Sequence, residues 1–86
     1  MEFQGSVVNE QGQTFAIVIV KPSVIDNHSE ADNFRSTFST VFPGMPIILM
    51  AQNSRGVPTY YGRTDIVKFL ASIDFRRIKW KKYTIN

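Results

Sequence analysis

The chain has 86 residues, 43% of them hydrophobic and 20% charged, with no cysteine and a net charge of +3. This length and composition predict one globular domain over residues 1–86 and exclude a disordered or a two-domain chain. The lack of cysteine excludes a disulfide framework, a thiolate metal site and a cysteine nucleophile, and it fits the cytoplasm, which is the predicted location.

The first part of the chain predicts two consecutive strands. Phe3–Val8 is expected to form the first strand, and the polar residues Asn9–Gln13 to form the turn that follows it. Thr14–Val20 is rich in β-branched residues and is apolar at consecutive rather than alternate positions. A strand that is apolar on both sides needs cover on both faces of its sheet, which predicts a central position for Thr14–Val20.

A helix is predicted next, beginning near Asn27 or Ser29 and ending at Pro43-Gly44. Asparagine and serine often cap helices because their side chains accept hydrogen bonds from the free N–H groups of the first turn. The apolar residues at helical spacing form one stripe: Ala31, Phe34, Phe38, Val41 and Phe42. The opposite face is polar but weakly charged, so we expect the helix to depend on the docking of this stripe.

The second half of the chain predicts a hairpin, a short helix and a final strand. The hairpin strands are Pro46–Ala51 and Val57–Tyr61, joined by the turn Asn53–Gly56. Thr64 is expected to cap a short amphipathic helix. Phe75–Tyr83 is predicted to form the last strand, because basic and apolar side chains interleave along it.

The predicted element order is ββαββαβ, which places this single small domain in the α+β class. A hairpin of the first two strands, followed by right-handed crossovers, gives a mixed five-stranded sheet with two helices on opposite faces. The alternative is a ferredoxin-like βαββαβ unit with an extra N-terminal strand, in which the last strand lies beside Thr14–Val20. The two arrangements compete for the same edge of that strand, and we expect the hairpin to form.

Catalytic and metal-binding patterns are poorly represented. His28 is the only histidine, and the acids around it lack the spacing of a calcium loop or a zinc motif. No serine lies in a nucleophile-elbow pattern, and no glycine motif for a nucleotide occurs. We therefore expect a protein that is not an enzyme and that has neither a metal nor a cofactor.

The strongest local signal is the charge of the C-terminal segment. Residues 1–54 have a net charge of −3, and residues 55–86 have a net charge of +6. Within Phe75–Tyr83 five basic residues occur without an acid, a pattern that suits phosphate binding. The aromatic rings among these basic residues are able to stack on bases. The predicted nucleic-acid or partner-binding residues are Arg76, Arg77, Lys79, Trp80, Lys81, Lys82 and Tyr83. The same lysines are also explained as protection of an edge strand against pairing with another chain.

A second candidate is an anion site formed by Arg55, Arg63 and Thr64. Arg63 and Thr64 stand at the predicted start of a helix, where free backbone N–H groups attract anions, and Arg55 lies on the preceding turn. Asp65 already supplies negative charge at this helix start, and Thr64 is equally explained as a plain helix cap.

We expect a non-catalytic protein-interaction or self-associating domain, since a small domain often completes its core with a partner and two strand edges are exposed. A protein partner or a homo-oligomer such as a homodimer is the expected partner. The alternative function is nucleic-acid binding by the basic and aromatic C-terminal strand. No membrane partner is expected, because the longest apolar run, Phe15–Val20, is far shorter than the roughly 20 residues that span a bilayer.

Overall fold

In the part of the chain that the structure describes, five strands form one sheet and three helices pack against it. The computed structural model describes residues 1–10 and 12–85. The strands are β1 (Glu2–Glu10), β2 (Gln13–Ile19), β3 (Ile47–Gln52), β4 (Pro58–Tyr61) and β5 (Lys81–Thr84). The helices are α1 (Pro22–Asp26), α2 (His28–Phe38) and α3 (Thr64–Ala71), and a 3-10 turn follows at Phe75–Arg77. None of the helices within these described ranges is long and apolar enough to span a bilayer.

The strands lie in the order β4-β3-β2-β1-β5, which confirms the predicted ββαββαβ arrangement around a mixed five-stranded sheet. β1 and β2 form an antiparallel hairpin, and β3 lies parallel to β2 on its other side. β5 pairs with the outer edge of β1, so the ferredoxin-like alternative, in which the last strand lies beside β2, is wrong. The hairpin forms because few residues separate its strands in the sequence, which keeps the entropic cost of bringing them together low.

Apolar side chains cover both faces of the central strand β2. On the face against α1 and α2, hereafter the α2 face, the buried side chains include Val18 and Phe38. On the face against α3, hereafter the α3 face, they include Ile17 and Leu70. Each of these four side chains is at most 1% exposed. The two main helices therefore lie on opposite faces of the sheet, as predicted.

Helix α2 begins where the sequence predicts but ends earlier. The Asn27 side chain accepts a hydrogen bond of 3.1 Å from the backbone N–H three residues later, as a helix cap does. The helix ends at Phe38 rather than at the predicted Pro43-Gly44. The hydroxyls of Ser39 and Thr40 donate to backbone carbonyls three residues back, at 2.6 and 2.7 Å. Such local bonds compete with the continuation of a helix, which accounts for the earlier end.

A short helix that the sequence analysis did not predict, α1, follows β2. Pro22 lies in its first turn, where the fixed φ angle of proline suits a helix and its missing N–H group is no loss. Val24 and Ile25 are buried in the core of the α2 face. Helix α1 therefore extends the cover that the longer helix α2 gives to the sheet.

The predicted final strand, Phe75–Tyr83, is wrong over its first part. Phe75–Arg77 forms a 3-10 turn instead, and Asp74 caps it by accepting a hydrogen bond of 3.0 Å from the backbone N–H of Arg76. Ile78 then enters the core of the α3 face, where it is 9% exposed. Regular strand pairing begins only at β5. The local bond at Asp74 therefore overrides the alternation of basic and apolar side chains that predicts a strand.

Candidate interaction surface

Two of the predicted basic residues form ion pairs within the protein. Arg76 donates to both carboxylate oxygens of Asp74, and the shortest of these bonds is 2.7 Å from Nη2 to Oδ2. These hydrogen bonds lower the pKa of Asp74 to about 2. Lys82 Nζ lies 3.0 Å from Glu2 Oε2, across the pair that β1 and β5 form. Acids of the same chain therefore balance the charges of these two basic residues.

The two aromatic residues of the C-terminal segment pack against the core. The Tyr83 ring stacks on Phe3, with centroids 5.2 Å apart and planes at 11°, and it meets the edge of Phe42 at 5.2 Å. Tyr83 thus belongs to the α2 face, whereas Trp80 is half-buried against the α3 face. The structure does not bring the two rings together as one surface for stacking on bases.

Three basic residues of the same segment, Arg77, Lys79 and Lys81, are exposed and form no ion pair with another described residue. Lys81 Nζ lies 5.5 Å from the centre of the Tyr83 ring. Arg77 and Lys79 border a groove beside β1. The predicted basic strand is therefore divided into an ion-paired part, a packed part and a small exposed part that flanks β1.

The predicted anion-binding residues do not converge. Arg63 donates to both carboxylate oxygens of Asp65, at 2.8 and 2.7 Å, and to the side-chain oxygen of Gln13 at 3.2 Å. The bonds from Arg63 lower the pKa of Asp65 to about 2. The cap residue of α3 is Arg63 rather than the predicted Thr64, and the Arg63 side chain makes no capping bond. Arg55 lies on the turn between β3 and β4, at the opposite end of β4 from Arg63.

A polar cluster joins α2 to the edge strand β4. The Tyr61 hydroxyl donates to Asp32 Oδ1 at 2.9 Å, and this bond raises the pKa of Tyr61. Arg35 lies 3.5 Å from the same carboxylate, and its Nε donates to the Ile47 carbonyl at 3.0 Å. The His28 ring lies 5.1 Å from the Tyr61 ring. These contacts hold β4 against α2, and this structural role accounts for the cluster.

The outer edge of β1 is only partly paired. β5 pairs with it from Glu2 to Gly5, and the last pair is Gly5 with Lys81. β1 itself continues to Glu10, and its inner edge is paired with β2 up to that residue. Among the described residues, no strand pairs with the outer edge of β1 between Ser6 and Glu10. This stretch, Ser6–Glu10, is called the open stretch of β1 below.

The hydrogen bonds of Met1 indicate which backbone groups of the open stretch point outward. The terminal amine of Met1 donates to the Ile85 carbonyl, and the Ile85 N–H donates to the Met1 carbonyl, both at 2.8 Å. In an antiparallel pair, residues that exchange two such bonds alternate with residues that bond to the other neighbour. The odd-numbered residues of β1 therefore direct their backbone groups toward the β5 side. In the open stretch these are Val7 and Asn9, which have no backbone partner on that side among the described residues.

A groove with a volume of about 590 Å³ runs along the open stretch. The residues that line this β1 groove are Ser6, Val7, Val8, Asn9, Glu10, Phe69, Ile73, Arg77, Ile78 and Lys79. Val7 is 46% exposed, and the apolar side chains that line the groove on the α3 face are Val8, Phe69, Ile73 and Ile78. The β1 groove thus combines free backbone groups, apolar side chains and charged residues of both signs.

No local pattern in the sequence predicts the β1 groove. The first strand was predicted, but its open stretch depends on the length of its partner, since β5 has four residues and β1 has nine. One signal was present in the sequence: neither a charged residue nor a proline protects the strand between Phe3 and Asn9.

Comparison of the chain with protein-family models, with curated proteins and with solved structures gives no match. Free N–H and C=O groups along a strand edge bind extended chains, because alternate residues of an added strand form hydrogen bonds with them. In the β1 groove these groups lie beside apolar side chains that an added strand would cover.

Proposed function

We propose that the protein is a non-catalytic interaction domain that binds an extended segment of a partner protein along the β1 groove. The segment adds a strand to the sheet, next to the open stretch of β1. The observation that supports this proposal is the set of outward N–H and C=O groups of Val7 and Asn9, which lack backbone partners beyond the point where β5 pairing stops. In strand addition the main chain provides affinity, and alternate side chains provide selectivity.

The other two edges of the sheet are less suited to strand addition. β4 begins with Pro58, which has no N–H group to donate, and it spans only four residues. β5 is equally short and carries Lys81 and Lys82, which are typical of edges protected against pairing. The open stretch of β1 contains neither proline nor lysine. It is therefore the least protected edge in the described part of the sheet.

The expected affinity is modest. Val7 and Asn9 provide up to four backbone hydrogen bonds, and each contributes about 0.5–1.5 kcal/mol net. Four bonds thus contribute about 2–6 kcal/mol, from which the cost of ordering the bound segment is subtracted. Contacts with the apolar groove residues Val8, Phe69 and Ile73 add to this sum. A net binding free energy of about 4 kcal/mol corresponds to a dissociation constant of about 1 mM, which suits a transient interaction.

The substitution Val7→Pro tests the proposal, because proline removes the outward N–H group and leaves the hydrogen bonds between β1 and β2 in place. Val7→Thr is the matched control, since threonine keeps the N–H group and favours strands. Each protein is immobilised and incubated with a pool of random-sequence octapeptides, and the retained peptides are quantified by mass spectrometry. We expect the wild type and Val7→Thr to retain a shared set of peptides, and Val7→Pro to retain roughly five-fold less of it.

Thermal unfolding establishes that each variant is folded before the retained peptides are compared. Equal retention by folded Val7→Pro and by Val7→Thr would refute strand addition at this edge, and so would a wild type that retains no peptide. Light scattering at the same concentrations measures self-association, which is the other form of the proposed interaction. A dimer that Val7→Pro dissociates would identify a second copy of the chain as the partner.

A further inference from the structure

The β1 groove is closed at one end, and this end limits how far an added strand extends along β1. β5 begins at Lys81, opposite Gly5, and it lies in the row of the sheet that an added strand would occupy. An added strand antiparallel to β1 runs from Glu10 toward Ser6, so its C-terminal end meets the start of β5. A parallel strand meets the start of β5 with its N-terminal end. In both directions the added strand has to end or leave the sheet at this point.

The charges at the two ends of the open stretch differ in sign. Lys79 lines the groove just before β5, as Arg77 does, and Lys81 is the first residue of β5. All three are exposed and form no ion pair with another described residue. Glu10 lies at the other end. Negative charge on a bound segment is therefore stabilised at the β5 end, and positive charge at the Glu10 end. An antiparallel strand matches this arrangement, because its C-terminal carboxylate lies next to the lysines.

The size of the open stretch favours a short segment over a second folded protein. It comprises five residues, whereas a stable protein–protein interface involves about 20–30 residues on each side. The last residues of a protein reach such a groove without unfolding of their own domain, because chain ends lie at the surface and are poorly ordered. A chain end also carries a carboxylate whatever its side chains are.

We propose that the occupant of the β1 groove is the C-terminal end of another protein, bound antiparallel to β1 with its terminal carboxylate next to Lys79 and Lys81. This inference rests on the proposed function, because it requires strand addition at the open stretch. It combines two modes of recognition, the pairing of an extended chain with a strand edge and the capture of a chain-terminal carboxylate. Hydrogen bonds from ammonium groups to a carboxylate are stronger than those between neutral groups, and at exposed lysines they add a modest share of the affinity.

Two pools of random octapeptides that differ only at the C-terminus test this inference. One pool ends in a free carboxylate and the other in an amide, and all N-termini are acetylated. We expect the wild type to retain the carboxylate pool about ten-fold better than the amide pool. The double variant Lys79→Gln, Lys81→Gln should retain the two pools equally. Lys82→Gln is the matched control and should keep the preference, because Lys82 is already paired with Glu2.

The outcomes distinguish failure of this inference from failure of the proposed function. Equal retention of both pools by the wild type, reduced by Val7→Pro, would overturn the preference for a C-terminus and leave strand addition in place. Better retention of the amide pool would overturn the inference in the same way. Retention of neither pool would overturn both the inference and the proposed function. A preference for the carboxylate pool that survives in the folded double variant would overturn the assignment to Lys79 and Lys81.

Discussion

Replacing Tyr83 by alanine removes the ring that packs β5 against the rest of the α2 face. Tyr83 contacts Phe3 and Phe42, in each case with ring centroids 5.2 Å apart. Two aromatic pairs contribute about 1–3 kcal/mol beyond the apolar area that they bury. We therefore expect Tyr83→Ala to lower the free energy of unfolding by about 2 kcal/mol. In a domain of this size, that loss lowers the midpoint of thermal unfolding by about 8–16 °C.

Tyr83→Phe is the matched control, because it keeps the ring. Its midpoint, followed by circular dichroism, should stay within about 3 °C of the wild type. Equal midpoints for the alanine and phenylalanine variants would refute a packing role for Tyr83. Fluorescence anisotropy with labelled single-stranded DNA, at low and physiological salt, extends the comparison to the nucleic-acid alternative. Stacking of this ring on bases predicts that Tyr83→Ala abolishes DNA binding while stability is unchanged, the opposite of the result we expect.

Two further predictions concern the open edge of β1 and the stability of the protein at low pH. In native-state hydrogen exchange, the amides of Val7 and Asn9 should exchange much faster than that of Val8, because only Val8 is directed toward β2; equal protection would contradict an open edge. The carboxyl group of Asp74 has its pKa lowered from 3.8 to about 2 in the folded protein, so the stabilisation by its charge is present above about pH 4 and is lost as the pH falls toward 2. Asp74→Asn should therefore lower the free energy of unfolding slightly above pH 4, and the difference from the wild type should disappear as the pH falls toward 2. Urea unfolding at a series of pH values measures this difference, and a difference that is independent of pH would contradict the role of the charge.

The central strands could be predicted because burial on both faces leaves a pattern in the sequence itself. Ile17 and Val18 are adjacent, lie on opposite faces and are both fully buried, so both must be apolar. Local capping and turn rules were equally informative. Asn27 accepts the hydrogen bond expected of a helix cap, and Gly56 has the positive φ angle, 78°, that its hairpin turn requires. These features depend on neighbours in the sequence, which is why they could be read from it.

The candidate site could not be predicted because it depends on partners that are distant in the sequence. The ion pair of Lys82 with Glu2 joins the two ends of the chain, and no local pattern indicates which acid a given lysine meets. Arg63 was expected to attract an external anion, whereas the structure pairs it with Asp65 two residues later. The alternation of basic and apolar residues before β5 fits a strand and an irregular segment equally well, so charge alone did not reveal which lysines stay free.

The β1 groove and the wrong prediction of a long final strand have one cause. In the observed register Lys81 lies opposite Gly5, so a final strand that began earlier would place Lys79 opposite Val7. The backbone groups of those two residues would then bond to each other and close the open stretch. After the 3-10 turn that Asp74 caps, Ile78 is buried in the core of the α3 face and Trp80 packs against the same core, so the chain pairs with β1 only from Lys81 onward. The backbone groups that this path leaves free on β1 are the groups that an added strand needs, and they are free because the chain's own last strand begins at Lys81.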